Sequence, residues 1–262
     1  MTTSANSSLD ATTNSLARLR RLNRITASVL ALQAVAILFF SNNFSIPVIA
    51  AFQDGPPGTV LSKPVVLFDM PYGPLIFLFL FLAAADHALV ASSKLVGWYE
   101  KNLRAGINYA RWIEYSISAS IMILLVAMLT GINNFYALLG LFAINATMIL
   151  FGLLMERINQ GRSRVDWLPF VFGCIAGIIP WFAITFAIVG SQKEGGGVPI
   201  FVYVIFITLF ILFNCFAINQ WLQYRGKGKW ADYLYGERVY LILSLVAKSA
   251  LAWQVFGGTL SG

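Results

Sequence analysis

The chain has 262 residues, 58% of them apolar and 11% charged, with a formal charge of +7 at pH 7. Soluble domains sit nearer about 45–50% apolar and about 25% charged, so there are too few polar residues here to cover a water-exposed surface. These figures exclude a water-soluble globule, a disordered chain, a disulfide scaffold and an independent nucleic-acid-binding domain, and they point to an all-α membrane protein.

The first fifteen residues, MTTSANSSLDATTNS, are polar and carry one charge, Asp10. They lack the basic start of a secretory signal, so the first apolar run is expected to remain as a membrane helix. A bilayer core of about 30 Å takes about 20 apolar residues of helix. Seven segments qualify, at roughly 25–45, 73–97, 106–130, 133–155, 168–190, 198–223 and 237–259. Between the first two lies a long apolar loop, about 44–72, in which SIPVIAAFQ and TVLSKPVVLF flank DGPPG. Two β-prone runs around a Gly/Pro turn predict a β-hairpin, opposed by the internal Pro47 and Pro64. The alternative is an irregular loop lying on its own helices. An apolar hairpin needs cover, from the outer face of the bundle or from a dimer partner.

Only Gly131, Ile132, Asn133 and Asn134 divide the third span from the fourth, which predicts a tight turn between antiparallel helices. Cys174 and Cys215 fall in the fifth and sixth spans, where cysteine serves as a small buried hydrophobe. Before the seventh span, RGKGKWADYLYGER (225–238) interleaves basic residues with Trp230, Tyr233 and Tyr235. That pattern suits interfacial anchoring or recognition of a soluble cytoplasmic partner. No internal repeat divides the chain, so residues 1–262 are expected to form one seven-helix domain.

Positive charge is distributed unevenly between the two sets of loops. Fifteen of the 18 lysines and arginines flank one side of the spans, including Arg18, Arg20, Arg21, Arg24, Arg111 and Arg238. The other side has Lys63 and Lys193. This asymmetry predicts a cytoplasmic N-terminus and an extracellular C-terminus in a multi-pass protein of the cell membrane, with anionic lipid head groups as the partners of the basic side.

Inside the spans the ionisable residues are Asp86 and His87 in the second, Glu114 in the third and Lys248 in the seventh. Each such charge costs about 2.5–3.5 kcal/mol at a helix centre, so these side chains should face inward and find partners. At about 1.5 Å of rise per residue, Glu114 lies ten residues past Arg104 and Lys248 ten past Arg238, which puts both about 15 Å from the inner boundary. Equal depth predicts a buried ion pair. His87 lies shallower, about 10 Å from the same boundary. Four residues either side of Lys248 stand Ser244 and Ala252, so the lysine has a face of small side chains with room for a ligand. Tyr109, Trp112, Trp181, Phe206, Phe210, Phe213 and Trp253 are candidates for the walls of an apolar slot. No metal site is expected, and no enzyme activity.

A desolvated lysine amine can form a Schiff base with a carbonyl compound. Seven helices with one lysine in the last and an acid in the third make the arrangement of a retinal protein. The runs ARWIEYSISASIM (110–122) and LSLVAKSALAWQVF (243–256), with the Asp86-His87 pair, resemble heliorhodopsin, a rhodopsin family inverted relative to the common microbial pumps. The resemblance covers essentially all seven spans and implies a rhodopsin-like bundle. It further implies all-trans retinal on Lys248, Glu114 as counterion, and Ser118 and Ser244 hydrogen-bonding nearby. It also implies a homodimer with an outer hairpin, and a light-sensing role. Some members carry a second histidine near the first span; here His87 is the single histidine.

Microbial proton pumps carry a second acid eleven residues after the first and an aspartate four before the lysine. Leu125 and Ser244 stand at those places here, which favours a photoreceptor over a light-driven or light-gated ion transporter. A transporter in which Lys248 binds an anionic substrate remains the reading that needs no light. Arg111 precedes Glu114 by three residues, as an arginine precedes the acid in pumps, or caps its own helix face. Asp86, His87 and Arg111 are candidates for a transient proton acceptor or a polar network, and Asp86 and His87 also for an interhelical hydrogen-bonded pair.

Overall fold

Within a bilayer the backbone has no water to bond, so each long apolar run closes its own hydrogen bonds as helix. The computed structural model describes residues 2–261. Helix α1 covers Thr2–Phe40, followed by strands β1 (Ser45–Ala50) and β2 (Val65–Pro71). Then come α2 (Tyr72–Val90), α3 (Val96–Arg104), α4 (Tyr109–Leu129), α5 (Phe135–Asn159), α6 (Leu168–Glu194), α7 (Ile200–Arg225) and α8 (Tyr233–Val255). Among the described residues seven helices are long and apolar enough to cross a membrane; α3 is the exception. Leu32, Phe182, Phe186 and Ile200 are each at least 70% exposed, on faces whose natural solvent is lipid.

Several span boundaries differ from the sequence-based expectation, those of the first two spans by the widest margin. The first apolar helix extends back to Thr12 and stops at Phe40, rather than covering 25–45. The second stops at Val90 rather than 97, because Ser92 turns the chain: its hydroxyl donates to the Leu89 carbonyl (2.6 Å) and accepts from the Leu95 amide (3.3 Å). A serine bonding its own backbone in this way competes with the helix ladder. The chain then forms α3, which buries Tyr99 and Leu103 against Leu16, Leu19, Val90 and Leu234 and leaves Lys101 and Arg104 exposed. This short amphipathic helix at the basic end was not expected.

The hairpin is present and antiparallel, with Ser45 opposite Pro71, Pro47 opposite Asp69 and a bulge at Val48/Ile49. Pro47 is accommodated because its carbonyl still accepts from Asn133 Nδ2 (2.9 Å), while the neighbouring Ile49 amide donates to the Asn133 carbonyl (3.0 Å). The turn between helices α4 and α5 therefore serves as a third edge for β1. Val48 and Ala50 are buried, whereas Val65, Val66, Leu67 and Phe68 of β2 are 42–59% exposed. The bundle covers one strand and leaves the other bare.

Helix α4 has the largest buried share of the seven and touches α2, α5, α6 and α7, so its side chains reach most of the interior. Its end is set by Gly131, whose φ of 93° is a left-handed conformation that glycine adopts without strain. Asn134 then caps α5 by accepting from the Tyr136 and Ala137 amides. After α8 the chain closes in a π-helical turn, Phe256–Leu260. Asn42 Nδ2 donates to the Thr259 carbonyl at 3.1 Å, tying the last helix to the end of α1.

Candidate functional site

Two buried polar centres lie between the helices. The first is the pair expected from equal depth. Lys248 Nζ on α8 donates to Glu114 Oε2 on α4 at 3.0 Å and to Ser244 Oγ, one turn earlier on α8, at 2.9 Å. Lysine and glutamate are 3% and 7% exposed. The amine also stands 4.6 Å from the centroid of the Tyr115 ring, whose face attracts a cation. Buried charges tolerate such a setting only when paired and hydrogen-bonded. Glu114 Oε1 and Ser118 Oγ are buried with no hydrogen-bond partner. Ser118, one turn beyond Glu114, is therefore outside the hydrogen-bond network in which it was expected, while Ser244 is within it.

A cavity of about 380 Å³ begins at Lys248 and runs among α4, α5, α6, α7 and α8. Of the seven aromatic wall candidates, Trp112, Trp181, Phe210 and Phe213 line it. The other three do not. Tyr109 stacks on Trp98 at the basic end (6.4 Å between centroids). Phe206 packs against Trp181, 5.8 Å away, rather than on the cavity. Trp253 is 45% exposed and donates to Gln33. Tyr115, Phe170, Phe216 and Tyr240 complete the aromatic wall. Their signal in the sequence is helical spacing: Phe210, Phe213 and Phe216 recur every three residues, and Tyr240 lies eight before Lys248. Close approach shapes the wall as well, since a Cβ on Gly152 would collide with the Trp112 indole. Cys174 lines the cavity but is exposed on the outer surface, and Cys215 is half-buried, so neither is the fully buried hydrophobe expected.

The second centre lies toward the basic end; Arg111 was a candidate for a polar network, whereas its acidic partners were not expected. Arg111 is 5% exposed and ion-pairs with Glu156 (2.5 Å) and Glu237 (3.1 Å). Its guanidinium stands 3.7 Å from the Tyr240 ring and 4.3 Å from the Trp112 ring. Glu156 also accepts from Trp112 Nε1, the Asn108 amide and the Tyr233 hydroxyl, and Glu237 accepts from Asn108 Nδ2. Arg111 is therefore neither a boundary cap nor a partner of Glu114. Expected span limits at 155 and 237 left these two acids at the helix edges. The helices run to Asn159 and start at Tyr233, drawing both inside. Trp230 and Tyr233 of the 225–238 loop point into the bundle, Trp230 Nε1 donating to Asn219 Oδ1 at 2.8 Å.

Beside the second centre is a small cavity of about 20 Å³, lined by Asn23, Asp86, His87, Tyr99, Arg111 and Glu237 among others. His87 Nδ1 lies 2.7 Å from Asn23 Oδ1. Asn23, on α1, carried no signal as an isolated residue in the sequence.

Comparison with known proteins follows the same lines. The family model described as Heliorhodopsin matches residues 19–260. No curated protein sequence matches the chain. Among solved structures the chain is similar to Exiguobacterium sibiricum rhodopsin, at 14% identity and TM-score 0.64 over 92% of this chain and 95% of that one. It is also similar to the light-driven proton pump of Coccomyxa subellipsoidea, at 18% identity and TM-score 0.63 over 90% and 95%. A third is cyanorhodopsin N4075R from Tolypothrix sp. NIES-4075, at 16% and 0.58 over 93% and 92%. At these identities the likeness shows the fold.

Arg111→Gln removes the cation shared by two buried carboxylates and should cost about 3–5 kcal/mol of stability. Thermal unfolding in detergent should show a larger loss for this variant than for Glu156→Gln, which leaves the arginine one acid; equal losses would contradict the pairing.

Proposed function

The chain belongs to the heliorhodopsin family, as a multi-pass membrane protein with a retinal chromophore, and we propose from this premise that it senses light and transports no ion. The residues fit the group. An apolar cavity of about 380 Å³, within the usual range of about 300–1,000 Å³ for ligand pockets, ends at a buried amine bonded to Glu114, whose Oε1 is unpartnered, as is Ser118 Oγ one turn further along the same helix. Lys248 Nζ would hold all-trans retinal covalently, with Trp112, Trp181 and Phe210 among the walls of its slot. When bound, retinal supplies light absorption and photoisomerisation.

The protein's own groups supply the rest. Glu114 balances the positive charge on the Lys248 nitrogen, and Ser244 accepts a hydrogen bond from it. Loss of that proton leaves the Glu114 carboxylate without its cation, in a setting where an unmatched charge is expensive. Asp86 and His87 stand toward the basic end as candidates to take the proton. The Tyr115 hydroxyl donates to the Tyr240 carbonyl (3.0 Å), and the Tyr240 ring faces Arg111, so the amine and the second centre are joined by packed aromatic contacts. Tyr233, bonded to Glu156, carries that centre to the 225–238 loop, where exposed Lys227 and Lys229 would meet a cytoplasmic partner.

One observation carries the choice of sensor over pump. Among the described residues, no Asp, Glu or His lies within a span between the level of Lys248 and the hairpin end. Leu125, eleven past Glu114, is fully buried in the apolar core. All acid-base groups lie on one side, so a proton leaving Lys248 has acceptors in one direction only and can return the way it came. The orientation proposed is a cytoplasmic basic end, with the hairpin and C-terminus outside. A second copy of the chain is the proposed cover for the bare apolar face of β2.

Retinal added to the purified protein should give a coloured pigment, lost in Lys248→Ala. Glu114→Gln should shift the band to the red and favour the deprotonated form; an unchanged spectrum would reject that counterion. Illumination of voltage-clamped cells should give no sustained current, and a sustained photocurrent would replace the sensor by a transporter. Phe68→Asp should convert dimer to monomer in size-exclusion chromatography with light scattering, and an unchanged mass would move the interface elsewhere.

A further inference from the structure

Helix α3 has no part in the function proposed above, and its depth follows from its contacts. On one face Tyr99 and Leu103 are buried against Leu16, Leu19, Val90 and Leu234, and Leu234 lies fourteen residues before Lys248 on α8. At about 1.5 Å per residue the two are about 21 Å apart along the helix. Lys248 stands near the middle of its span, Tyr233–Leu260. Hydrocarbon ends about 15 Å from the midplane of a bilayer and the head groups about 20–22 Å from it, so α3 packs at the depth of the head groups. Short tethers keep it there, residues 91–95 to α2 and 105–108 to α4. Its rotation is held as well, because the Tyr99 hydroxyl bonds the Asn23 side chain on α1.

Successive residues of a helix turn by about 100°, so Lys101 and Arg104 emerge opposite Tyr99 and Leu103, with Trp98 on the flank. Both cations are exposed, and among the described residues neither has an ion-pair partner; Glu100, the one acid of α3, pairs with neither. Trp98 is 46% exposed and Leu95 37%. The Trp98 ring lies 6.4 Å from that of Tyr109 at the start of α4, an aromatic pair of the kind that settles at a membrane interface. Water alone would leave Trp98 and Leu95 bare, and hydrocarbon alone would strand Lys101 and Arg104. A phospholipid meets both needs. We propose that Trp98, Lys101 and Arg104 form a binding site for the head group of an anionic phospholipid. The guanidinium of Arg104 and the ammonium of Lys101 donate to phosphate oxygens, while the Trp98 indole packs on the glycerol and the first methylenes. A zwitterionic head group brings its own cation to the phosphate and gains less. Exposed Lys94 and Arg20, whose Nε donates to the Ala91 carbonyl at 3.1 Å, add positive charge at the α2 end of the same element. The site stands whether or not the protein senses light.

Native mass spectrometry of the delipidated full chain, titrated with phosphatidylglycerol, reads the site. One molecule should bind more tightly than phosphatidylcholine does. Lys101→Gln together with Arg104→Gln should weaken it about 25-fold, at about fivefold for each charge near a membrane surface. Lys227→Gln together with Lys229→Gln removes the same charge from exposed positions elsewhere and should cost less than one such step of about fivefold. Lys101→Arg keeps the cation and should keep the lipid. Equal weakening by the two double variants would mean diffuse attraction and overturn the inference. So would equal affinity for the two lipids, absence of a tightly bound phosphatidylglycerol, or its displacement by inorganic phosphate alone, which would make the site one for a soluble anion. Thermal unfolding in detergent checks the fold; should the double variant unfold, Lys101→Gln alone, with its expected loss of about fivefold, decides.

Discussion

Everything inside this bundle is arranged around the pairing of one amine with one carboxylate. Neither Lys248 nor Glu114 could stand alone in an apolar interior, where an unmatched charge costs several kcal/mol. Their contact at 3.0 Å holds α4 and α8 in a single register, because a slip of one residue on either helix would turn one partner away by about 100°. Ser244 and the Tyr115 ring supply what the pair lacks, a further hydrogen bond and a polarised face. The cavity begins where this polar contact ends, since its remaining wall is mostly aromatic and aliphatic, with Asn214 and Gln220 donating to the Phe210 and Gly152 carbonyls.

The second centre solves the same problem with different stoichiometry. Two carboxylates share Arg111, and donors from Trp112, Asn108 and Tyr233 take up much of the remaining acceptor capacity. Its members come from α4, α5, α8 and the residue that caps α4, Asn108, so it locks the basic end of the bundle as the lysine pair locks the middle. Tyr115 and Tyr240 lie between the two, one ring under Lys248 and the other under Arg111. A change of charge at the lysine therefore meets, within two side chains, the group that holds the loop at 225–238 through Tyr233. The asymmetry is physical as well as topological: among the described residues the acids and the histidine of the spans lie on the basic side, and the hairpin half holds only neutral polar groups, such as Tyr72 bonded to the Leu125 carbonyl and Gln254 to Thr208, in an otherwise apolar core.

Elements that depend on local chemistry were legible in the sequence. Apolar run length marked seven spans, the Gly131 to Asn134 turn separated the third from the fourth, and alternating β-prone runs marked the hairpin despite its prolines. The ends of spans were less legible, because a helix stops where a serine or a cap captures the backbone, as Ser92 does, and not where hydropathy falls. That error of a few residues hid Glu156 and Glu237, which looked like interfacial charges, and made Arg111 look like one more surface arginine. Aromatic walls were half legible, because helical spacing gives the face of one helix but not which neighbour that face meets; Trp253 turned outward and Tyr240 inward for that reason.

The sequence by itself determined the solvent of this protein, the number of its crossings and the depth of Lys248 and Glu114, since composition, run length and a constant rise per residue settle these without knowledge of neighbours. Tertiary structure alone decided the partners: that Asn23 turns its oxygen to His87, that Arg111 serves Glu156 and Glu237 rather than Glu114, and that Ser118 is left unbonded while Ser244 is not. Depth along a helix is a one-dimensional property of the chain. Contact across helices depends on rotation and packing of several at once, and a polar side chain in a membrane is given its role by the neighbour that satisfies it.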